Sequence, residues 1–102
     1  MFSSISKITP KELEQQMHHE SVQVIDVRSL DEVKQGKIPT AENIPLDELP
    51  ERMEELDRYE EYVMVCRSGN RSAKAAKHLQ QNGFHVKNMT GGMMKWLGDI
   101  EA

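Results

Sequence analysis

Residues 62–72 read Tyr62-Val63-Met64-Val65-Cys66-Arg67-Ser68-Gly69-Asn70-Arg71-Ser72. The first four are a nearly continuous apolar run, as expected of a strand covered on both faces. A short polar loop follows. Residues 71–81 then read as a helix, with Ser72, Ala75, Ala76 and Leu79 on one stripe, and Gly83 fits its C-terminal cap. A strand, a tight loop and a helix make the repeating unit of a parallel α/β sheet.

The same alternation extends outward. Residues 22–27, VQVIDV, are rich in β-branched side chains and too short for an independent helix, so they predict a strand. Residues 5–8 predict another. Between them, Thr9 is an N-cap, Pro10 takes the first helical position, and Glu12 stands three residues after the cap. That helix runs to about His18 or His19. Ser29 or Asp31 caps a short helix through Val33, closed by Gly36, and Pro39 enforces an extended connection. Asn43, Ile44, Pro45 and Leu46 form a short extended piece, in which Pro45 argues against a central ladder position. Asp47 caps a helix with Leu49, Met53 and Leu56 on one face and Glu51, Glu54 and Glu55 toward the other. Residues 85–89 predict a last strand, and residues 93–100 a last helix. The expected architecture is α/β with a mainly parallel sheet. Ligands in such sheets bind at the carboxyl ends of strands, near helix N-termini, which points to the ends of VQVIDV and YVMV.

The bulk properties narrow the function. The chain has 102 residues, enough for one core, and no linker or repeat divides it, so residues 1–102 read as a single domain. A formal net charge of −4 suggests no nucleic-acid partner. Charged or amide residues interrupt every apolar run, so no membrane partner is expected. Met1 to Thr9 lack the apolar stretch of an export signal, which makes the cytosol the expected location. The four histidines are scattered, so no metal site is expected. Gly91-Gly92 is followed by no P-loop Lys-Ser/Thr, so it reads as a turn, and no cofactor is implied.

One cysteine excludes an intrachain disulfide and a multi-cysteine metal site. A lone thiol is either an inert small hydrophobe or a nucleophile. The loop decides for the nucleophile. Gly69 takes positive φ without steric cost, and Asn70 tolerates it better than most residues. Such a turn aims successive N–H groups inward as an anion-binding nest, and the first N–H groups of the following helix add to it. Cys66 sits at the base of this cup, where an anion is stabilised and a thiol ionises more readily. Arg67 and Arg71, with Lys74 and Lys77, gather cations around the one thiol of an acidic chain. The expected substrate is an anion. Asp26 and Arg28, at the other strand end, read as structural neighbours of the site: Asp26 fixes a loop, and Arg28 pairs with Glu32 four residues on.

Residues 66–72, CRSGNRS, closely resemble the active-site loop of rhodanese-like domains. Val24-Ile25-Asp26-Val27-Arg28, with Glu32, residues 36–41 (GKIPTA) and Asn43-Ile44-Pro45, resemble a second signature of that family. Gly91-Gly92 with Trp96 resembles its C-terminal pattern. The resemblance implies a parallel sheet of about five strands with helices on both faces. It also implies a sulfurtransferase in which Cys66 takes sulfane sulfur from a small anionic donor such as thiosulfate and becomes a persulfide. The sulfur then passes to a thiophilic acceptor, cyanide or a thiol, and a sulfur-accepting protein fits as well. Backbone N–H groups of Arg67, Ser68, Gly69, Asn70, Arg71 and Ser72 would hold the persulfide, while Arg67 and Arg71 orient the donor. The family often has His where Lys37 stands and Gly where Thr40 stands, so the local geometry and rim charge depart there.

Two other functions use related chemistry. A thiolate phosphatase or arsenate reductase also cradles an oxyanion, but the related phosphatase loops place five residues between Cys and Arg. Four separate Cys66 from Arg71, a tighter cup suited to one sulfur. No second cysteine is present to resolve an arsenate intermediate. A non-turnover persulfide carrier or sensor docking on a partner is the remaining alternative, and turnover with a small donor separates it from an enzyme.

Overall fold

Thr9 ends one strand and starts one helix. Its N–H donates to Glu12 Oε1 at 2.9 Å, and the Glu12 N–H donates to Thr9 Oγ1 at 3.1 Å. This reciprocal cap satisfies two otherwise orphaned donors and sets the chain direction between β1, Ser6–Ile8, and α1, Pro10–Met17. The computed structural model describes residues 4–102, so the start of the stretch read for an export signal lies outside the described residues. β2, Gln23–Asp26, then leads to α2, Leu30–Lys34. Of the two candidate caps for α2, Ser29 takes the role, again in a reciprocal pair with Glu32.

β3 is the short pair Glu42–Asn43, β4 is Glu61–Val65 and β5 is His85–Met89. All pairings are parallel, in the spatial order β1-β5-β4-β2-β3. The expected five-stranded parallel sheet is therefore present. From β2 the chain moves toward β3, whereas from β4 it moves the other way, toward β5. The order thus reverses between β2 and β4, which is where such sheets open a crevice. Register levels the two strands, pairing Asp26 with Val65, so both following loops emerge side by side.

The sheet is covered on both faces. On one, Ala75, Ala76 and Leu79 of α4, Asn70–Gln81, pack with Ile25, Met64, Val86 and Leu49. On the other, Leu13 of α1 packs with Val24, Val63, Met89 and Trp96. This is why residues 62–65 are uniformly apolar: all four are buried. The stripe Ser72, Ala75, Ala76 and Leu79 is wholly buried, and Gly83, at φ 88, terminates α4.

Three expectations need correction. The segment around Pro39 is not extended. The Ala41 N–H donates to Ile38 O at 3.1 Å and Thr40 sits at φ 70, so Pro39 and Thr40 are the middle of a tight turn. Pro at the second position and a left-handed third residue are the pattern of a type II turn. Nor does Asp47 cap one continuous helix. A 3₁₀ turn, Leu46–Glu48, precedes α3, Leu49–Arg52, and another, Met53–Glu55, follows it, with no side-chain cap on any. Pro50 within the first turn explains the break upstream, since it cannot donate a bond backward. Leu49 and Leu56 are still buried. The last helix is only the 3₁₀ turn Gly92–Lys95. Trp96 leaves it in an extended conformation, with its indole N–H donating to Asp99 O at 2.9 Å. Met94 and Leu97 are exposed, while Trp96 is buried. No helix among the described residues is long and apolar enough to cross a membrane.

Candidate active site at the sheet switch point

Cys66 directly follows β4, and the loop after it turns back within four residues into α4. Gly69 makes that turn at φ 104 and is the N-cap of α4 without a side-chain bond. The first intrahelical bond runs from the Ala73 N–H to Gly69 O at 3.2 Å. The N–H groups of Asn70, Arg71 and Ser72 therefore precede the helical ladder and remain available to an anion.

The sulfur is buried, and amides face it. Cys66 is 1% exposed. The Gly69 N–H donates to Sγ at 3.0 Å, and the Ser72 hydroxyl lies 3.2 Å from Sγ. Burial pushes the thiol up. The Ser72 hydroxyl, when its hydrogen turns to the sulfur, and the backbone N–H groups of Ser72, Gly69 and Ser68 outweigh it, so the group lies below its ordinary value. Cys66 also joins the apolar cluster under α4, so the thiol combines a dry floor with a polar rim.

The arginines divide their work. Arg71 Nη1 and Nη2 donate to the two Glu32 carboxylate oxygens at 2.7 and 2.8 Å, a two-point fork between α4 and α2. The Arg71 guanidinium holds the Glu32 carboxyl down at about 2. Arg71 also feels the charge of Cys66, so it braces the loop and adds positive potential at the sulfur. Arg67 is exposed and makes no ion pair among the described residues. It lines a groove of about 370 Å³ with Gln35, Met93, Met94 and Ile100. Ser68 and Asn70 are exposed on the loop, and Lys74 and Lys77 are exposed on α4.

Across the switch point, Asp26 is fully buried and Arg28 nearly so. The expected Arg28–Glu32 pair does not form. Arg28 turns back instead, giving Nε and Nη2 to the Asp26 carboxylate and Nη2 to Gly36 O at 2.8 Å. Glu32 is taken by Ser29 and Arg71, and strand burial at Asp26 demands a cation close by. Asp26 Oδ1 also accepts the Arg28 N–H, and Asn43 Nδ2 donates to Asp26 O and Arg28 O. These bonds fix the loop beside Cys66.

The loop is also held from the C-terminal side. Gly92 stands so close that a Cβ there would come within 2.6 Å of Cys66 O. The Met93 N–H donates to Cys66 O at 2.8 Å and the Met94 N–H to Arg67 O at 3.0 Å.

A family model described as "Rhodanese-like domain" matches residues 9–99, nearly the whole chain. The chain belongs to the rhodanese-like family. This rhodanese-like domain is 46% identical over 82 residues to "Putative sulfurtransferase YtwF" of Bacillus subtilis, covering 80% of each chain. It is 36% identical over 94 residues to a protein named "Sulfurtransferase" from Allochromatium vinosum, covering 90% of this chain and 88% of that one. The crystal structure of SSP1007 from Staphylococcus saprophyticus superposes with a TM-score of 0.92 at 33% identity, over 96% of this chain and all of that one.

Sequence reasoning missed two residues of this rhodanese-like domain. Spacing along the chain pairs Glu32 with Arg28, whereas in the fold its partner is Arg71. Asn88 was not singled out at all, although Ser72 Oγ donates to its Oδ1 and its Nδ2 donates to Gly69 O. Strand alternation from buried Val86 puts residue 88 on the same inward face. A polar residue at an inward position was the available signal.

Proposed function

We propose that this protein transfers sulfane sulfur from a small anionic donor such as thiosulfate to a thiophilic acceptor, a thiol or cyanide, through a persulfide on Cys66. The observation that carries this reading is a single thiol with a backbone N–H 3.0 Å from its sulfur, at the N-terminus of α4. The names of its relatives point to the same chemistry.

The reaction is a double displacement. The Cys66 thiolate attacks the outer sulfur of thiosulfate. A bond forms between Sγ and that sulfur, the donor S–S bond breaks, and sulfite leaves with the electron pair. The acceptor thiolate or cyanide then attacks the outer persulfide sulfur, and Cys66 leaves as thiolate. The N–H groups of Ser68, Gly69, Asn70, Arg71 and Ser72 stabilise the negative outer sulfur. Arg67, with the groove beside it, receives the charged remainder of the donor. No side-chain base is required, because the backbone N–H groups at the sulfur favour the thiolate.

The test is the intact mass after incubation with thiosulfate and removal of small molecules. The wild-type chain should gain one sulfur atom, and Cys66→Ala none. No gain with any sulfane donor refutes the proposal. Loading without turnover to cyanide or thiols favours a carrier.

A further inference from the structure

Asn88 stands on β5, paired in register with Met64, and faces α4. It is 8% exposed. Its amide makes two bonds. Nδ2 donates to Gly69 O at 3.3 Å, and Oδ1 accepts from Ser72 Oγ at 2.5 Å. The first bond fixes the second. A backbone carbonyl only accepts, so the NH₂ of Asn88 must face Gly69, which leaves Oδ1 toward Ser72. Oδ1 also only accepts, so the single hydroxyl hydrogen of Ser72 goes to Asn88.

Ser72 Oγ lies 3.2 Å from Cys66 Sγ. With its hydrogen on Asn88, the oxygen turns a lone pair to the sulfur. A neutral thiol fits this arrangement, because its S–H donates to Ser72. A thiolate does not. It has no hydrogen to give and meets a lone pair, unless Ser72 rotates its hydrogen away from Asn88.

We propose that Asn88 is a positioning residue, holding the Ser72 hydroxyl in the orientation that favours those forms of Cys66 whose Sγ is neutral. The thiol is one such form. The persulfide is the other: its Sγ has no hydrogen to give but carries no charge, so the lone pair repels it far less than it repels a thiolate; that clause alone rests on the sulfur-transfer reading. Asn88 thereby restrains the free thiolate, and the amides of the loop are left to stabilise the transferred sulfur.

The charged groups near the sulfur are few. Arg67, next to Cys66, is exposed; Arg71 on α4 is tied to Glu32 of α2, and Asp26 at the end of β2 is tied to Arg28. Arg71 feels the charge of both Cys66 and Asp26. The charge on β5, Lys87, pairs with Glu61 at the start of β4.

The test is the rate of Cys66 alkylation by iodoacetamide as a function of pH, in wild type, Asn88→Val, Ser72→Ala and the double variant. Asn88→Val frees the Ser72 hydrogen for the sulfur. Its midpoint should move to lower pH, and below that midpoint it should react about three- to tenfold faster, the worth of one net hydrogen bond. In the Ser72→Ala background, Asn88→Val should change nothing. A midpoint that stays or rises, or an equal shift without Ser72, overturns the proposal. Should the valine variant not fold, Asn88→Ala carries the same expectation. Alkylation needs no sulfur donor, so a chain that never gains sulfur refutes the proposed function and leaves this test standing.

Discussion

Glu32 shows how much one carboxylate does at the site. It closes the cap of α2 and holds Arg71 across the mouth of the loop. Its carboxyl is depressed from 4.5 to about 2, so it adds stability above its unfolded value, and that stability fades as pH falls toward 2. Denaturant unfolding should therefore find Glu32→Gln less stable than wild type at neutral pH, with the two converging in acid. A gap that persists at low pH would contradict the assignment. Arg71→Ala makes a kinetic prediction. The pair is about one-third exposed, so stability should fall by about 1 kcal/mol or less. Sulfur loading should slow roughly tenfold, the kinetic equivalent of one charge-assisted hydrogen bond. Equal loading rates would remove Arg71 from the chemistry. Cys66 and its loop were legible because the nest is local: Gly69 and the helix start lie within a few residues of the thiol. Glu32 and Asn88 were not, because each reaches the site through strand order, from another part of the chain.

Among the elements, the turn at Pro39 and Thr40 departs furthest from its local sequence signal. Pro39 alone predicts an extended path, but the following residue adopts φ 70 and the chain reverses. A β-branched residue is strained there, since left-handed backbone crowds Cβ by roughly 1–2 kcal/mol. Thr40→Gly should stabilise the protein by about 1 kcal/mol after the greater freedom of unfolded glycine is counted. For a domain of this size that raises Tm by roughly 4–8 °C, measurable by calorimetry. No gain, or a loss, would mean that the threonine side chain contributes more than its backbone costs. The other elements divide by the same logic. α1, α2 and α4 were legible from caps and stripes, which are local signals. Local signals overextend the helix after β3, because Pro50 interrupts its first turn, and the final helix, because Trp96 turns out to bond its indole to Asp99.

At the scale of the whole molecule, one sheet serves two cores. Leu13 seals one face and Leu79 the other, both fully buried. Truncating either to Ala should cost about 2–5 kcal/mol. Since both cores share the same strands, each variant should still unfold in one transition, with the denaturant midpoint lowered and the slope unchanged. A second transition in Leu13→Ala would show that the faces unfold separately. The topology that joins these cores also placed the site, and that much followed from alternating strands and helices alone.

The clasp of Met93 and Met94 onto the Cys66 loop has a consequence for synthesis. On the ribosome the thiol is translated well before the segment that steadies its loop. The nascent chain therefore carries an ordinary cysteine from residue 66 until residues 91–94 have been added. Its reactivity arrives only with folding, after the glycine pair at 91 and 92 has emerged and closed over residues 66 and 67.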